Sequence, residues 1–306
     1  MSLPRAAAAV DGVLLLDKPK GMTSNAALQR VRALYGRPKA GHTGTLDPLA
    51  TGLLPICLGE ATKFSSALLG ADKSYQATFQ LGFRSSTGDA DGHLEPATGP
   101  AFTDQQLQAA LAELTGSIEQ TPPMYSAVKV HGKPLYRYAR GGSTVERRAR
   151  TVHIRRLDLV ERQPDGLRLT VTCSKGTYIR VLAEQLGAKL GCGAYVLALR
   201  RTAVGRISIE EAVPLPELES LDIADRRELL LPVDALLYTL PRLELSAELG
   251  TRVLRGLAVT GLAATEGPVR LYGPEGRFLG LGQADGSGTV APKRLVADRP
   301  EIGLTL

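Results

Sequence analysis

Apolar residues along this chain change period several times, and the changes mark its elements. Val13-Leu14-Leu15-Leu16, inside Gly12 to Asp17, is a continuous apolar run that predicts a short buried strand. Lys18-Pro19-Lys20-Gly21 reads as a turn, and Ser24 as the N-cap of a helix with Leu28, Val31 and Leu34 on one face. Residues 36 to 58 are rich in Gly, Thr and Pro with only short apolar pieces. A connection that long inside a domain is either functional or disordered, and its Leu-Pro and Leu-Leu-Pro pieces are too apolar for disorder, which predicts an ordered functional loop. Ser74 to Gly82 alternates as a strand. Thr103-Asp104-Gln105-Gln106 has the capping-box pattern, and Leu107, Leu111 and Leu114 line one side of the helix it opens.

Leu167 to Cys173 alternates as another strand, and Tyr178 to Leu190 reads as a helix stopped by Gly191. Strands and helices in this irregular order predict an α+β fold with a largely antiparallel sheet. Val213 to Pro241, with four prolines, reads as a helical connection with a boundary near Pro241. Beyond it, one helix (Ser246 to Arg255) and short strands over Val269 to Tyr272, Arg277 to Gln283 and Thr289 to Val296 form a small β-rich module. The division is therefore 1–240 and 241–306, in keeping with a 306-residue chain.

Composition narrows the setting. Three scattered cysteines (Cys57, Cys173, Cys192) form no disulfide framework, the Ala6 to Val10 run is cut by Asp11, and no stretch approaches a membrane span, so a cytoplasmic, unprocessed protein is expected. Charge is uneven. Residues 125 to 160 hold nine Lys/Arg against Glu146 and Asp158, a net +7, which leaves the rest of the chain at −1. Tyr125, Tyr136 and Tyr138 are interleaved with that stripe. It is either a nucleic-acid surface or a solvated face carrying surplus charge.

The chain has no phosphate-binding GxxxxGK[ST], no dinucleotide GxGxxG after a strand, no GxSxG elbow and no paired histidine spacing; no cofactor and no metal are expected. Thr87 to Gly92 resembles the start of a calcium loop, but Thr98 stands where the bidentate Glu belongs. What remains is Asp47 in Gly41-His42-Thr43-Gly44-Thr45-Leu46-Asp47-Pro48, either an ordinary Asx-turn before proline or a functional carboxylate. Arg180 falls in the first turn of a helix, where a cation opposes the macrodipole and calls for an anionic partner such as Asp47, unless it simply points to solvent. Tyr75 and Tyr178 suit either a base-stacking surface or plain core.

Five segments together resemble the TruB family of bacterial tRNA pseudouridine-55 synthases: Asp17 to Ser24, the loop Gly41 to Gly52, Met124 to Lys129, Ser174 to Arg180, and Leu199-Arg200-Arg201. They occur in the family's order, across about residues 11 to 210. The resemblance implies a pseudouridine-synthase fold with a central mixed, largely antiparallel sheet, and a PUA-like C-terminal domain. It implies a target uridine in the T stem-loop of tRNA, Asp47 as catalytic residue, Arg180 as its ion-pair partner, Tyr75 stacked on the flipped base, and Asp89 supporting the network. His42 falls where the family inserts a side chain into the loop vacated by the base, and Lys18, Pro19, Tyr178 and Leu199 where it builds the pocket. The basic residues Lys129, Lys133, Arg137, Arg140, Arg147 and Arg148 overlap the family's RNA-clamping insertion, about 124–155. The C-terminal module, with eight Lys/Arg against seven Asp/Glu after residue 240, is not conspicuously basic.

A monomer without an obligatory protein partner follows from this reading. Three alternatives belong to other classes: a non-catalytic RNA-remodelling protein, a guide-dependent synthase working inside a protein and RNA complex, and a retaining glycosidase. The last needs a second carboxylate that the motifs do not offer.

Overall fold

The computed structural model describes residues 9–97, 99, 101–262 and 265–297. The start of the Ala6 to Val10 run, Thr98 and the end of the 241–306 module lie outside those residues. Strand β1 (Gly12–Lys18) sends Leu14 and Leu16 into the main core and Val13 and Leu15 into a second core on the other face. Burial on both faces is why its sequence is continuously apolar.

Helix α1 (Ser24–Leu34) is capped by Thr23, not by Ser24 as the sequence suggested: the Thr23 side chain accepts from the Ala26 N–H at 3.1 Å. Ser24 is already helical and buried, which frees its hydroxyl for the site. The 36–58 stretch is likewise not one long loop. It contains β2 (Ala40–His42) and β3 (Thr51–Leu58), and β3 is buried along nearly its whole length. Pro55 conceals that strand in the sequence. Its carbonyl accepts from the Thr43 N–H at 3.2 Å, so the missing N–H falls just past the end of the β2–β3 ladder.

After a 3₁₀ stretch (Gly59–Leu68) come β4 (Lys73–Leu81), the small hairpin β5 (Phe83–Ser85) and β6 (Leu94–Pro96), and α2 (Asp104–Glu113), which carries the expected capping box between Thr103 and Gln106. β7 (Gly116–Gln120) follows. The next segment holds β8 (Lys129–Val130), β9 (Lys133–Pro134) and α3 (Leu135–Arg140), whose two strands pair only with each other. β10 (Arg150–Gln163) and β11 (Gly166–Cys173) lead to α4 (Ile179–Lys189) and β12 (Ala194–Val204). The sequence reading missed β10, the longest strand. A register shift between Ile154 and Arg156 resets its inward face, so Val152 and Ile154 fall out of step with Leu157. β13 (Ile207–Ser208), β14 (Val213–Pro214), α5 (Leu215–Ser220) and α6 (Ile223–Glu228) complete this part.

The ten-stranded sheet runs β14-β1-β3-β12-β4-β11-β10-β7, with β2 on β3 and β13 on β12. Only the β1–β14 and β3–β12 pairings are parallel, so the sheet is mixed and largely antiparallel. At the β3–β12 junction Gly52 has φ +102°, and a Cβ there would stand 2.3 Å from the Arg201 carbonyl oxygen. Only glycine lets the two strands meet this closely.

A second sheet, β15-β16-β17-β18, is built from β15 (Arg242–Glu244), β16 (Glu266–Tyr272), β17 (Phe278–Asp285) and β18 (Val290–Leu295), with α7 (Ala247–Leu254) against it. It has its own core of Leu245, Val253, Val259, Val269 and Leu271. Phe278 meets Phe64 of the larger part with ring centroids 5.4 Å apart, and the Lys63 ammonium donates to the Leu295 carbonyl at 3.0 Å.

Candidate active site

The loop between β2 and β3 is held at several points. Leu46, Leu49 and Ala50 are buried in the main core. The Ser24 hydroxyl accepts from the Leu46 N–H at 2.7 Å and donates to the Leu46 carbonyl at 2.9 Å. The Gly21 N–H donates to the Pro48 carbonyl at 2.8 Å. Asp47 lies between these anchors, so its backbone has little freedom while its side chain remains 39% exposed.

That side chain is not closing an Asx-turn. Its Oδ2 lies 3.0 Å from Arg180 Nε, and the arginine side chain is only 6% exposed. The rest of the guanidinium is also committed: Nη1 donates to the Thr87 carbonyl at 2.9 Å and Nη2 to the Tyr125 carbonyl at 2.8 Å. Asp89, buried, stands 3.6 Å from Arg180 Nε and accepts from the Thr87 hydroxyl and the Asp91 N–H. One buried cation thus faces two carboxylates. Its neighbours explain why a cation occupies a helix N-terminus against the macrodipole. Burial holds the Asp47 carboxyl above its ordinary range; Arg180 and Lys18 pull it down, while the charge of Asp89 pushes it up.

Asp47 opens on a cavity of about 730 Å³ lined by Thr43 to Asp47, Tyr75, Tyr178, Arg180, Leu199 and Arg201, among others. Tyr75 presents its ring from β4 and Leu199 its side chain from β12. Lys18, fully buried at the end of β1, donates to the Pro19 and Met22 carbonyls at 2.8 and 2.7 Å, and burial lowers it to about 8. Lys18, Pro19 and Asp89 are not among the residues that line the cavity. His42 ends β2 beside the loop, also outside the lining; its Nδ1 accepts from the Gly44 N–H at 3.4 Å, and burial, then Arg201, lowers its pKa.

The basic residues divide. Lys129, Lys133, Arg137, Arg140 and Arg148 are exposed on the segment between β7 and β10, with Lys133 over the Tyr138 ring at 4.4 Å and Arg140 over Tyr136 at 5.6 Å. Arg147 is half-buried and donates to the Pro122 carbonyl at 3.2 Å. Arg150, Arg155 and Arg156 belong instead to the sheet strand β10, so the +7 stripe is not one continuous arm. Both roots of the arm, Ser126 to Val128 and Arg150, line the Asp47 cavity. Sequence reasoning gave Ser24 only the role of a helix cap, and gave none to Arg201, Lys73 or Lys175. The only signal for Arg201 was its place in the Leu199-Arg200-Arg201 segment.

Family models of pseudouridine synthases match most of the chain. Residues 32–179 match the model of the TruB family pseudouridylate synthase N-terminal domain. Residues 180–238 match the tRNA pseudouridylate synthase B C-terminal domain, and residues 241–296 the C-terminal model of pseudouridine synthase II TruB. Proteins named tRNA pseudouridine synthase B are similar over nearly the whole chain. The one from Aromatoleum aromaticum is 57% identical across 94% of this chain and 93% of its own length. That from Dechloromonas aromatica is 51% identical across 97% and 99%. Among solved structures, a Cbf5-Nop10-Gar1 complex superposes with TM-score 0.68 at 26% identity, covering 94% of this chain and 84% of the matched one. An H/ACA RNP bound to a substrate RNA containing 2'-deoxyuridine shares the fold at TM-score 0.71 and 24% identity, covering 94% and 86%.

Proposed function

We propose, from the premise that the chain belongs to the TruB family of pseudouridine synthases, that Asp47 is the carboxylate with which it isomerises a tRNA uridine. The protein is a tRNA pseudouridine synthase, an isomerase. Its target is the T-loop uridine at position 55. The observation that carries the role of Asp47 is its pairing with buried Arg180 at the mouth of a cavity walled by Tyr75 and Leu199.

The reaction breaks the bond from uracil N1 to ribose C1′, turns the base, and joins C1′ to C5. The proton leaving C5 is balanced by one gained at N1, so no electron or phosphate is exchanged. Asp47 either attacks C1′ or removes a ribose proton, and both require the ionised carboxylate that Arg180 orients. The base must first leave the folded loop, with Tyr75 as its stacking surface, Leu199 and Tyr178 as walls, and His42 entering the vacated space. Asp89 keeps Arg180 in register, and Lys18-Pro19 closes the back of the pocket.

Lys129, Lys133, Arg137, Arg140, Arg147 and Arg148 grip the tRNA backbone from an arm rooted at the cavity. Residues 1–240 form the catalytic domain and 241–306 a PUA-like domain. The chain works as a monomer in the cytoplasm, on tRNA alone and without an obligatory protein partner.

The test is to incubate purified protein with an unmodified tRNA transcript and map pseudouridine by chemical labelling. Wild type is expected to modify the T-loop uridine, and Asp47→Asn to bind the transcript almost normally while forming no product. Full activity in Asp47→Asn would remove Asp47 from the mechanism.

A further inference from the structure

Arg201 is a charged side chain for which the reaction just described has no use. It is 1% exposed and the largest fully buried side chain among the described residues. Burying a guanidinium is costly unless its donors are matched. Here no carboxylate among the described residues forms an ion pair with it; it meets backbone carbonyls and the Tyr75 hydroxyl. Nε donates to the Leu53 carbonyl at 2.7 Å, Nη2 to Gly44 at 3.2 Å and Nη1 to Thr45 at 3.5 Å. Two of those carbonyls belong to the loop that presents Asp47.

The same residue faces Tyr75 directly across the β12–β4 ladder, and directly opposed residues put their side chains on one face of the sheet. Its neighbour Arg200 shows what an ordinary structural arginine does here, with a bidentate pair to Asp17 at 3.0 and 2.7 Å on a 40% exposed side chain. Arg201 is also fixed along its strand, because its backbone packs against Gly52 with no space for a Cβ. Burial lowers the pKa of Lys18, His42 and Lys73 and raises that of Tyr75; the charge of Arg201 adds to the first three and opposes the last.

We propose that Arg201 is a positioning residue for pseudouridine formation: its guanidinium joins the Asp47 loop, through the Gly44 and Thr45 carbonyls, to the Tyr75 ring, and so sets carboxylate and stacking surface relative to each other. This rests on the reading of Asp47 and Tyr75 given above. An apolar residue would fill the space, but only a planar, multiply donating cation can hold two carbonyls of one loop, the start of β3 and a neighbouring phenol together.

The experiment compares full-length Arg201→Lys, Arg201→Met, Tyr75→Phe and the Arg201→Lys/Tyr75→Phe double variant, with Asp47→Asn alongside. Single-turnover pseudouridine formation, tRNA affinity and thermal melting are measured for each. Arg201→Lys is expected to melt cooperatively and bind tRNA within about 3-fold of wild type while its single-turnover rate falls on the order of 100-fold, as for a catalytic group misplaced by about 1 Å. The loss caused by Tyr75→Phe should shrink in the Arg201→Lys background, since the hydroxyl has then already lost its partner.

Rate losses that multiply independently would overturn the inference. So would an Arg201→Lys protein that fails to melt cooperatively or loses tRNA binding, which would make the residue merely structural. An inactive Asp47→Asn beside a fully active Arg201→Met overturns this inference alone, whereas an active Asp47→Asn overturns the reading beneath it.

Discussion

At the scale of single residues, the role proposed for Asp47 requires an anionic carboxylate, in surroundings that disfavour the charge. Burial raises its pKa above the ordinary value near ~3.9, and Arg180 opposes that only in part. Protonation therefore sets in at a higher pH than for a free aspartate, and the acid limb of the kcat/KM profile is expected above the ordinary aspartate range. Asp89 contributes to the raising, so Asp89→Asn should move that limb to lower pH, whatever it does to the maximum rate. A limb that stays in place or moves up would show that the two carboxylates do not communicate. Arg180 itself donates through three nitrogens to Asp47, Thr87 and Tyr125. A lysine offers one point charge, so Arg180→Lys is expected to lose turnover by at least ~100-fold, read in single-turnover assays.

At the scale of elements, the site depends on contacts between pieces distant in sequence. Ser24 belongs to α1, yet its hydroxyl satisfies both the N–H and the carbonyl of Leu46, one residue before Asp47. Ser24→Ala leaves two buried backbone groups unmatched and should cost about 1–3 kcal/mol in denaturant unfolding. It should also lower turnover more than tRNA affinity, because the loop that it anchors presents the carboxylate. Equal losses in both measurements would mean that Ser24 supports the fold alone. The arm between β7 and β10 is coupled to the site at its base, where the Tyr125 carbonyl accepts from Arg180.

At the scale of the whole molecule, charge and shape divide the work. The large sheet carries the cavity, whereas the second sheet meets the 3₁₀ stretch Gly59–Leu68 through Phe64–Phe278 and the Lys63–Leu295 hydrogen bond, residues that do not line the Asp47 cavity. Exposed cations concentrate on the arm beside that mouth. Neutralising RNA phosphates releases counterions, so tRNA affinity should fall steeply with salt. Replacing Lys129 or Arg137 by Ala should reduce the slope of log K against log salt by about 0.7–0.9 for each phosphate that is no longer neutralised. Substituting Arg155 on β10, which pairs with Asp72, should leave the slope nearly unchanged. Titrations at several salt concentrations distinguish the two cases.

The amphipathic helices, the capping box at Thr103 and the strands around Tyr75 and Val171 were legible because their residues repeat at the period of the element. The family was legible because five motifs stood in order. Asp47 alone was not, since an aspartate before proline has the same local pattern in a turn as in a catalytic loop. What the tertiary structure decided is that Asp47 is paired, by bringing Arg180 from more than a hundred positions away to within 3.0 Å of it. It likewise turned Ser24 from a cap into a loop anchor, found β3 behind Pro55 and β10 behind a bulge, and placed Arg201 beneath the site. Each of these depends on partners supplied by other strands and helices. A local period reports only what a segment's own side chains require, whereas a buried cation or an interrupted strand is explained by the groups that surround it.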